Sequence, residues 1–157
     1  MALSLDADIE LLARIPFFEG FSDEHLRLIA FSAESRSLPE KLLLYEEGQL
    51  LHSAYVAVSG VLRGERRAKD GSPARSWSIE AGQLMGERTL ILDTRAAESV
   101  RVESRARVLQ IRKTMFRRLL QEYPEIAITL RGRLARKLVD ASDALADVAQ
   151  RLSAIPD

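Results

Sequence analysis

The chain has 157 residues, 46% hydrophobic and 29% charged, which gives one domain enough apolar material for a core and argues against a disordered tail. Its 23 basic and 23 acidic residues cancel, so a strongly basic nucleic-acid binder is disfavoured, although a local patch is not. Cysteine is absent, and His25 and His52 are the only histidines, which excludes disulfides, thiolate metal sites, cysteine nucleophiles and a two-histidine helical zinc motif.

The N-terminal stretch carries Asp6, Asp8 and Glu10 with no basic residue before Arg14, unlike a secretory leader. The longest run without a charge, Gly48 to Leu62, has 15 residues and includes Gln49, His52, Ser53 and Ser59, too short and too polar to span a bilayer. A cytoplasmic address without membrane attachment is the expectation. Residues 1–34 read as helices. Ile9, Leu11, Leu12 and Ile15 form one apolar side that Pro16 ends. Ser22 is a good N-cap for a second helix, with Asp23 and Glu24 in the first turn and Leu26, Ile29 and Ala30 on one face.

Residues 35–112 turn strand-like. Leu42–Tyr45 is a short apolar run that stops at Glu46-Glu47-Gly48. Tyr55–Val58 stops at Ser59-Gly60 and Val61-Leu62 resumes, which predicts a hairpin at the glycine. Lys69-Asp70-Gly71-Ser72-Pro73 is a loop by composition. Further strands are predicted at Arg75–Ile79, Glu98–Val102 and Arg107–Ile111. Turn signals every 8–15 residues point to a compact barrel or sandwich. Trp77 reads as barrel core or rim, Phe17, Phe18 and Phe21 as barrel cover, and Arg105, Arg107 and Arg112 as a solvated strand edge.

Residues 113–153 are helical again. Phe116, Leu119 and Leu120 mark one helix, and Pro124 opens the next. That second helix reaches about Leu152. Leu134, Leu138, Ala141, Leu145, Val148 and Leu152 make an a/d seam along it. At ~28 residues, or ~42 Å, it outreaches a domain of this size, which predicts a homodimer through residues 130–152. Arg131, Arg133, Arg136 and Lys137 precede Asp140, Asp143 and Asp147, a charge order that favours antiparallel pairing if those residues flank the seam. The whole chain, 1–157, reads as one domain.

The segment from Glu80 to Val100 carries the functional signal. Gly86 lets backbone approach a ligand closely, and a helical turn after it would offer N–H groups to an anion such as phosphate. Glu87 can accept hydrogen bonds from sugar hydroxyls. Four motifs in order then give a resemblance. They are Ile15-Pro16-Phe17-Phe18-Glu19-Gly20-Phe21-Ser22, Tyr45-Glu46-Glu47-Gly48, Tyr55-Val56-Ala57-Val58-Ser59-Gly60, and Gly82 with Gly86-Glu87, Met85 standing where Phe is usual. Together they resemble the cyclic-nucleotide-binding domain family over roughly Ile15 to Leu152. The resemblance implies an α+β fold: a jelly-roll β-barrel flanked by N-terminal helices and a long C-terminal helix. It also implies a phosphate-binding cassette and a ligand such as cyclic AMP or cyclic GMP, with no further cofactor and no metal.

The cassette departs from the family pattern P-R-[SA]-A-[TS]-V. Counted without gaps from Gly86, Val100 and Ser99 match, Glu98 replaces a small residue, Ala97 matches, and Ala96 takes the place of the arginine that neutralises the phosphate. Arg95 lies one residue early. A one-residue shift would restore it but would flip Val100 and Val102 outward, whereas a bulge at Glu98 would reconcile both. Losing a charge-assisted hydrogen bond of roughly 1.5–3 kcal/mol weakens binding on the order of 10- to 100-fold. The candidate ligand set is therefore Gly86, Glu87, Arg88, Arg95, Ala96, Ala97, Ser99 and, on the long helix, Ser142; Ala141 lacks the hydroxyl of cyclic-AMP-responsive relatives. Two functions follow. One is a sensor that signals through its C-terminal helix. The other is a degenerate member that senses another ligand or acts as a dimeric interaction module for an unidentified effector protein. Activator relatives carry a helix-turn-helix after the long helix, and only four residues remain here, so direct DNA binding is not expected. No serine–histidine–acid spacing or Walker loop is present, so no enzymatic activity is expected.

Overall fold

The computed structural model describes residues 2–70 and 72–133, together with 136 and 150. The chain divides into two compact units, Met1–Leu119 and Leu120–Asp157.

In the first unit, α1 (Ala2–Ala13) buries Leu12, and Ile15 follows it into the core. Pro16 opens one 3-10 turn, Pro16–Phe18, because its fixed φ and missing N–H suit a first helical position. Phe18 is buried there, edge-on to Phe17 and Phe21. α2 (Asp23–Ser32) starts at a reciprocal cap. The His25 N–H donates to Ser22 Oγ at 3.1 Å, and the Ser22 N–H donates to His25 Nδ1 at 3.4 Å. Its buried face is Leu26, Ile29 and Ala30, the face the spacing predicted.

Six strands form one antiparallel sheet: β1 (Glu34–Leu38), β2 (Leu43–Tyr45), β3 (Ser53–Arg67), β4 (Pro73–Ile79), β5 (Leu84–Met85) and β6 (Ser99–Arg112). The path is β1-β6-β3-β4, with β2 on β6 and β5 on β3. The arrangement is the α+β jelly-roll expected, but the hydrogen-bonded path does not close, so the barrel is open rather than continuous. Its interior holds Leu38, Tyr45, Ala57, Leu62, Met85, Ala96, Val100, Val102 and Val108, with Trp77 and Tyr55 packed partly buried against them.

Two strand expectations need correction. The predicted hairpin at Ser59-Gly60 does not exist, because β3 runs straight through it to Arg67. Gly60 has φ +80°, and a Cβ there would lie 2.2 Å from the Arg105 carbonyl oxygen, so the glycine serves a bulge pressed against β6. The hairpin sits at the next turn signal, where Ala68 N donates to Ser72 O at 2.7 Å and Asp70 Oδ1 accepts from the Ser72 amide and hydroxyl. The strands predicted at 98–102 and 107–111 are one strand, β6. Arg107 is not on a solvated edge either. It pairs with the buried Asp8 of α1 at 3.2 Å and donates to Ser35 Oγ at 2.7 Å, tying the N-terminal helix to the sheet.

α3 (Lys113–Glu122) follows β6 directly and buries Phe116 and Leu119. In the second unit, residues 124–133 are helical after a break at Tyr123, as Pro124 predicts. The seam from Leu134 to Leu152, with Ala141 and Ser142, lies outside the described residues, and so does nearly all of the segment on which a dimer was expected. No described helix is long and apolar enough to cross a membrane.

Candidate functional site

Strand β5 ends at Gly86, whose φ of +72° and ψ of 26° are left-handed. A Cβ there would meet Leu51 Cδ1 at 3.1 Å and Ser53 O at 3.5 Å, so glycine is required by backbone and by space. The chain then makes one 3-10 turn, Glu87–Leu90. Leu90 is fully buried, and Thr89 Oγ1 donates to Leu51 O at 2.8 Å, which fixes the turn on the β2–β3 connection. The turn places Glu87 half-buried and leaves Arg88 in solvent.

The second arm of the site is residues 93–99. Asp93 accepts from Lys113 Nζ at 3.2 Å and from Arg117 at 3.0 Å. The hydrogen bonds to Arg117 and Lys113 hold its carboxyl below the usual range. Arg117 also donates to Thr89 O at 3.3 Å, so the same guanidinium touches both arms from α3. Beyond Asp93 the segment zips onto residues 48–51. Leu51 N donates to Thr94 O, Ala96 N to Gln49 O and Gly48 N to Ala96 O. Arg95 is exposed and donates to Gly48 O at 3.0 Å.

Strand alternation now sorts the cassette. Ala96, Val100 and Val102 are buried in the sheet interior, with Glu98 half-buried between them, while Ala97 and Arg101 are exposed. The pairing of β6 with β3 runs in step at Glu65–Ser99 and Gly64–Val100. Glu98 lies just before β6, and from Ser99 onward the pairing keeps Val100 and Val102 inward. Ser99 is turned to the β2–β3 turn, where its Oγ accepts from Glu47 N at 2.8 Å. An open cleft of 450 Å³ lies on that side, lined by Glu46, Glu47, Arg67, Ala68, Lys69 and Ser99.

Inside the roll, Tyr45 is opposite Val100, so Glu98 is its diagonal neighbour. The Tyr45 hydroxyl, on a residue 2% exposed, donates to Glu98 Oε1 at 2.9 Å. Burial, then Glu98, then Glu87 push this phenol well above its ordinary range. Tyr55 stacks on it with ring centroids 6.0 Å apart. Burial raises the Tyr55 phenol too, offset by Arg36 and Arg112 beside its hydroxyl.

Of the residues predicted for the site, Ala96 is buried in the roll interior, and Gly86 and Glu87 are half-buried at the turn, with the Glu87 charge felt at the Tyr45 phenol. Arg88 and Arg95 face outward, Ala97 is exposed, Ser99 binds backbone, and Ser142 is outside the described residues. Sequence reasoning missed Tyr45 and the role of Arg117. The signal available for Tyr45 is its place in the apolar run Leu42–Tyr45, and its pairing with Glu98 leaves no local trace.

This geometry can be set against known proteins. Residues 35–123 match the cyclic nucleotide-binding domain model. The chain belongs to the cyclic nucleotide-binding domain family. It is 28% identical over 127 residues to a cyclic AMP receptor protein of Thermus thermophilus, matching 80% of this chain and 58% of that one. Among solved structures, it is 32% identical to a cyclic nucleotide-binding-like protein from Brucella abortus, covering 73% of this chain and 97% of that one at a TM-score of 0.65. The N-terminal domain of a transcriptional regulator from Streptomyces coelicolor is 24% identical and shares the fold, with 86% and 94% covered at a TM-score of 0.78. The chain spans 58% of the length of the Thermus relative and 62% of a second curated relative.

Proposed function

We propose that this cyclic nucleotide-binding domain is a cytoplasmic, regulatory ligand sensor that signals through its C-terminal helix, with cyclic AMP and cyclic GMP as the ligands to test first. The observation that carries the reading is the pairing of a left-handed Gly86 with a half-buried Glu87 on the turn that follows it. Glu87 accepts ribose hydroxyls, and residues 96–98 supply the opposite wall. The output runs through Arg117, which holds Thr89 O and Asp93 together. A ligand that moves either arm changes what Arg117 can reach, and so biases α3 between two positions. From α3 the chain leads to the segment that carries Ser142 and to residues 130–152, where a second copy pairs.

A second reading has its own observation. Ala96 and the Tyr45–Glu98 bond remove a cation from the cassette and add an anion, which favours a member that has left cyclic nucleotides for another ligand or for an effector protein. Because the curated relatives are longer, attachment to a DNA-binding partner segment belongs to either reading. Isothermal calorimetry with cyclic AMP and cyclic GMP separates them. Heat that disappears on Glu87→Ala supports the sensor, and no heat at millimolar nucleotide with folded protein supports the second reading. Sedimentation equilibrium tests the dimer.

A further inference from the structure

A cyclic nucleotide carries one negative charge at its phosphate, and the roll interior is lined against it. Glu98 and Glu87 both act on the buried Tyr45 phenol, which donates its only proton to Glu98. Described cations nearby are engaged on backbone carbonyls. Arg95 donates to Gly48 O, Arg66 donates to Ala97 O at 3.2 Å, and Arg101 donates to Lys41 O at 3.0 Å. The half-buried Arg36 donates to Gln110 at 3.3 Å and lies at the Tyr55 hydroxyl, the other member of the stacked pair. Carboxylates repel an anion, and they accept hydrogen bonds from hydroxyl groups.

From this arrangement we infer that Glu98, held by Tyr45, sets the charge of the ligand: the pocket takes an uncharged nucleoside in preference to a cyclic phosphate. The inference rests on the reading that this domain senses a ligand at Glu87, and within it names the ligand class of the second reading, in which the site has left cyclic nucleotides for another ligand. Glu98 acts as a specificity residue through its charge, and Glu98→Gln removes that charge while keeping an oxygen that can accept from Tyr45. Tyr45 is its positioning residue.

The test titrates the full chain with adenosine and with cyclic AMP, in the natural sequence and as Glu98→Gln, with a thermal melt to establish folding. The natural chain binds adenosine about tenfold tighter than cyclic AMP, and Glu98→Gln tightens cyclic AMP about tenfold while moving adenosine less than about threefold. Glu98→Ala gives the same direction if the amide disturbs folding. Tyr45→Phe, which leaves the carboxylate without its donor, weakens cyclic AMP further. Cyclic AMP bound more tightly than adenosine, and indifferent to Glu98→Gln, overturns the charge assignment and leaves the sensor reading standing. Failure of both ligands with every folded variant overturns the two together.

Discussion

The two arms of the site were built under different constraints. The first arm, Gly86 to Leu90, keeps the family pattern, and three of its residues are structurally committed. Gly86 must be glycine, Thr89 is spent on Leu51 O, and Leu90 is in the core. The second arm, Asp93 to Ser99, is zipped to residues 48–51 by backbone hydrogen bonds that any side chain can make. The backbone zip does not itself dictate the side chains at Ala96 and Glu98. The backbone of the second arm and the side chains it presents thus depend on different atoms.

Substitutions sharpen this contrast. The largest effect belongs to the committed arm. Leu90→Ala leaves a cavity beneath the turn and costs about 2–5 kcal/mol in denaturant unfolding. Gly86→Ala costs about 1–2 kcal/mol from the left-handed backbone alone, with the Leu51 contact added. An Ala97→Ser change in the exposed second arm stays within about 0.5 kcal/mol in the same assay.

Smaller effects follow titration. The Tyr45 phenol is raised above its ordinary value of 10.0, so its contribution is complete below that value and fades as the pH climbs beyond it. Absorbance at 295 nm is expected to show a tyrosine that ionises only as the protein unfolds in alkali, and Tyr45→Phe removes that component. Asp93 behaves in the opposite sense. Its lowered carboxyl stabilises the fold above the ordinary carboxylate range, and the contribution is lost as pH falls through the lowered value. Asp93 is fully exposed, so the effect is slight and screened by salt. It is read as the pH dependence of the melting temperature that Asp93→Asn flattens.

Much of this was legible in the amino-acid chain. Ser22 announced α2, Pro124 announced the last helix, and the alternation of Val100 and Val102 fixed the register that puts Ala96 inside. The misreadings share a physical cause. Ser59-Gly60 has the composition of a hairpin, but the same glycine serves a bulge when a neighbouring strand presses on it, and only the partner Arg105 reveals which. The Arg107–Asp8 and Arg117–Asp93 pairs join residues far apart in sequence, and local spacing carries no trace of them. The Tyr45–Glu98 bond was hidden for the same reason, although both residues had been read as parts of separate motifs.

The central claim is that a ligand between Glu87 and Glu98 is felt by α3 through Arg117. Amide hydrogen exchange, followed by mass spectrometry with and without saturating adenosine or cyclic AMP, addresses it directly. Bound ligand is predicted to slow exchange in residues 86–98 and to change it in residues 113–122, with the second response lost in Arg117→Ala and the first retained. Protection confined to 86–98 in the natural chain, or a response in α3 that survives Arg117→Ala, would contradict the account.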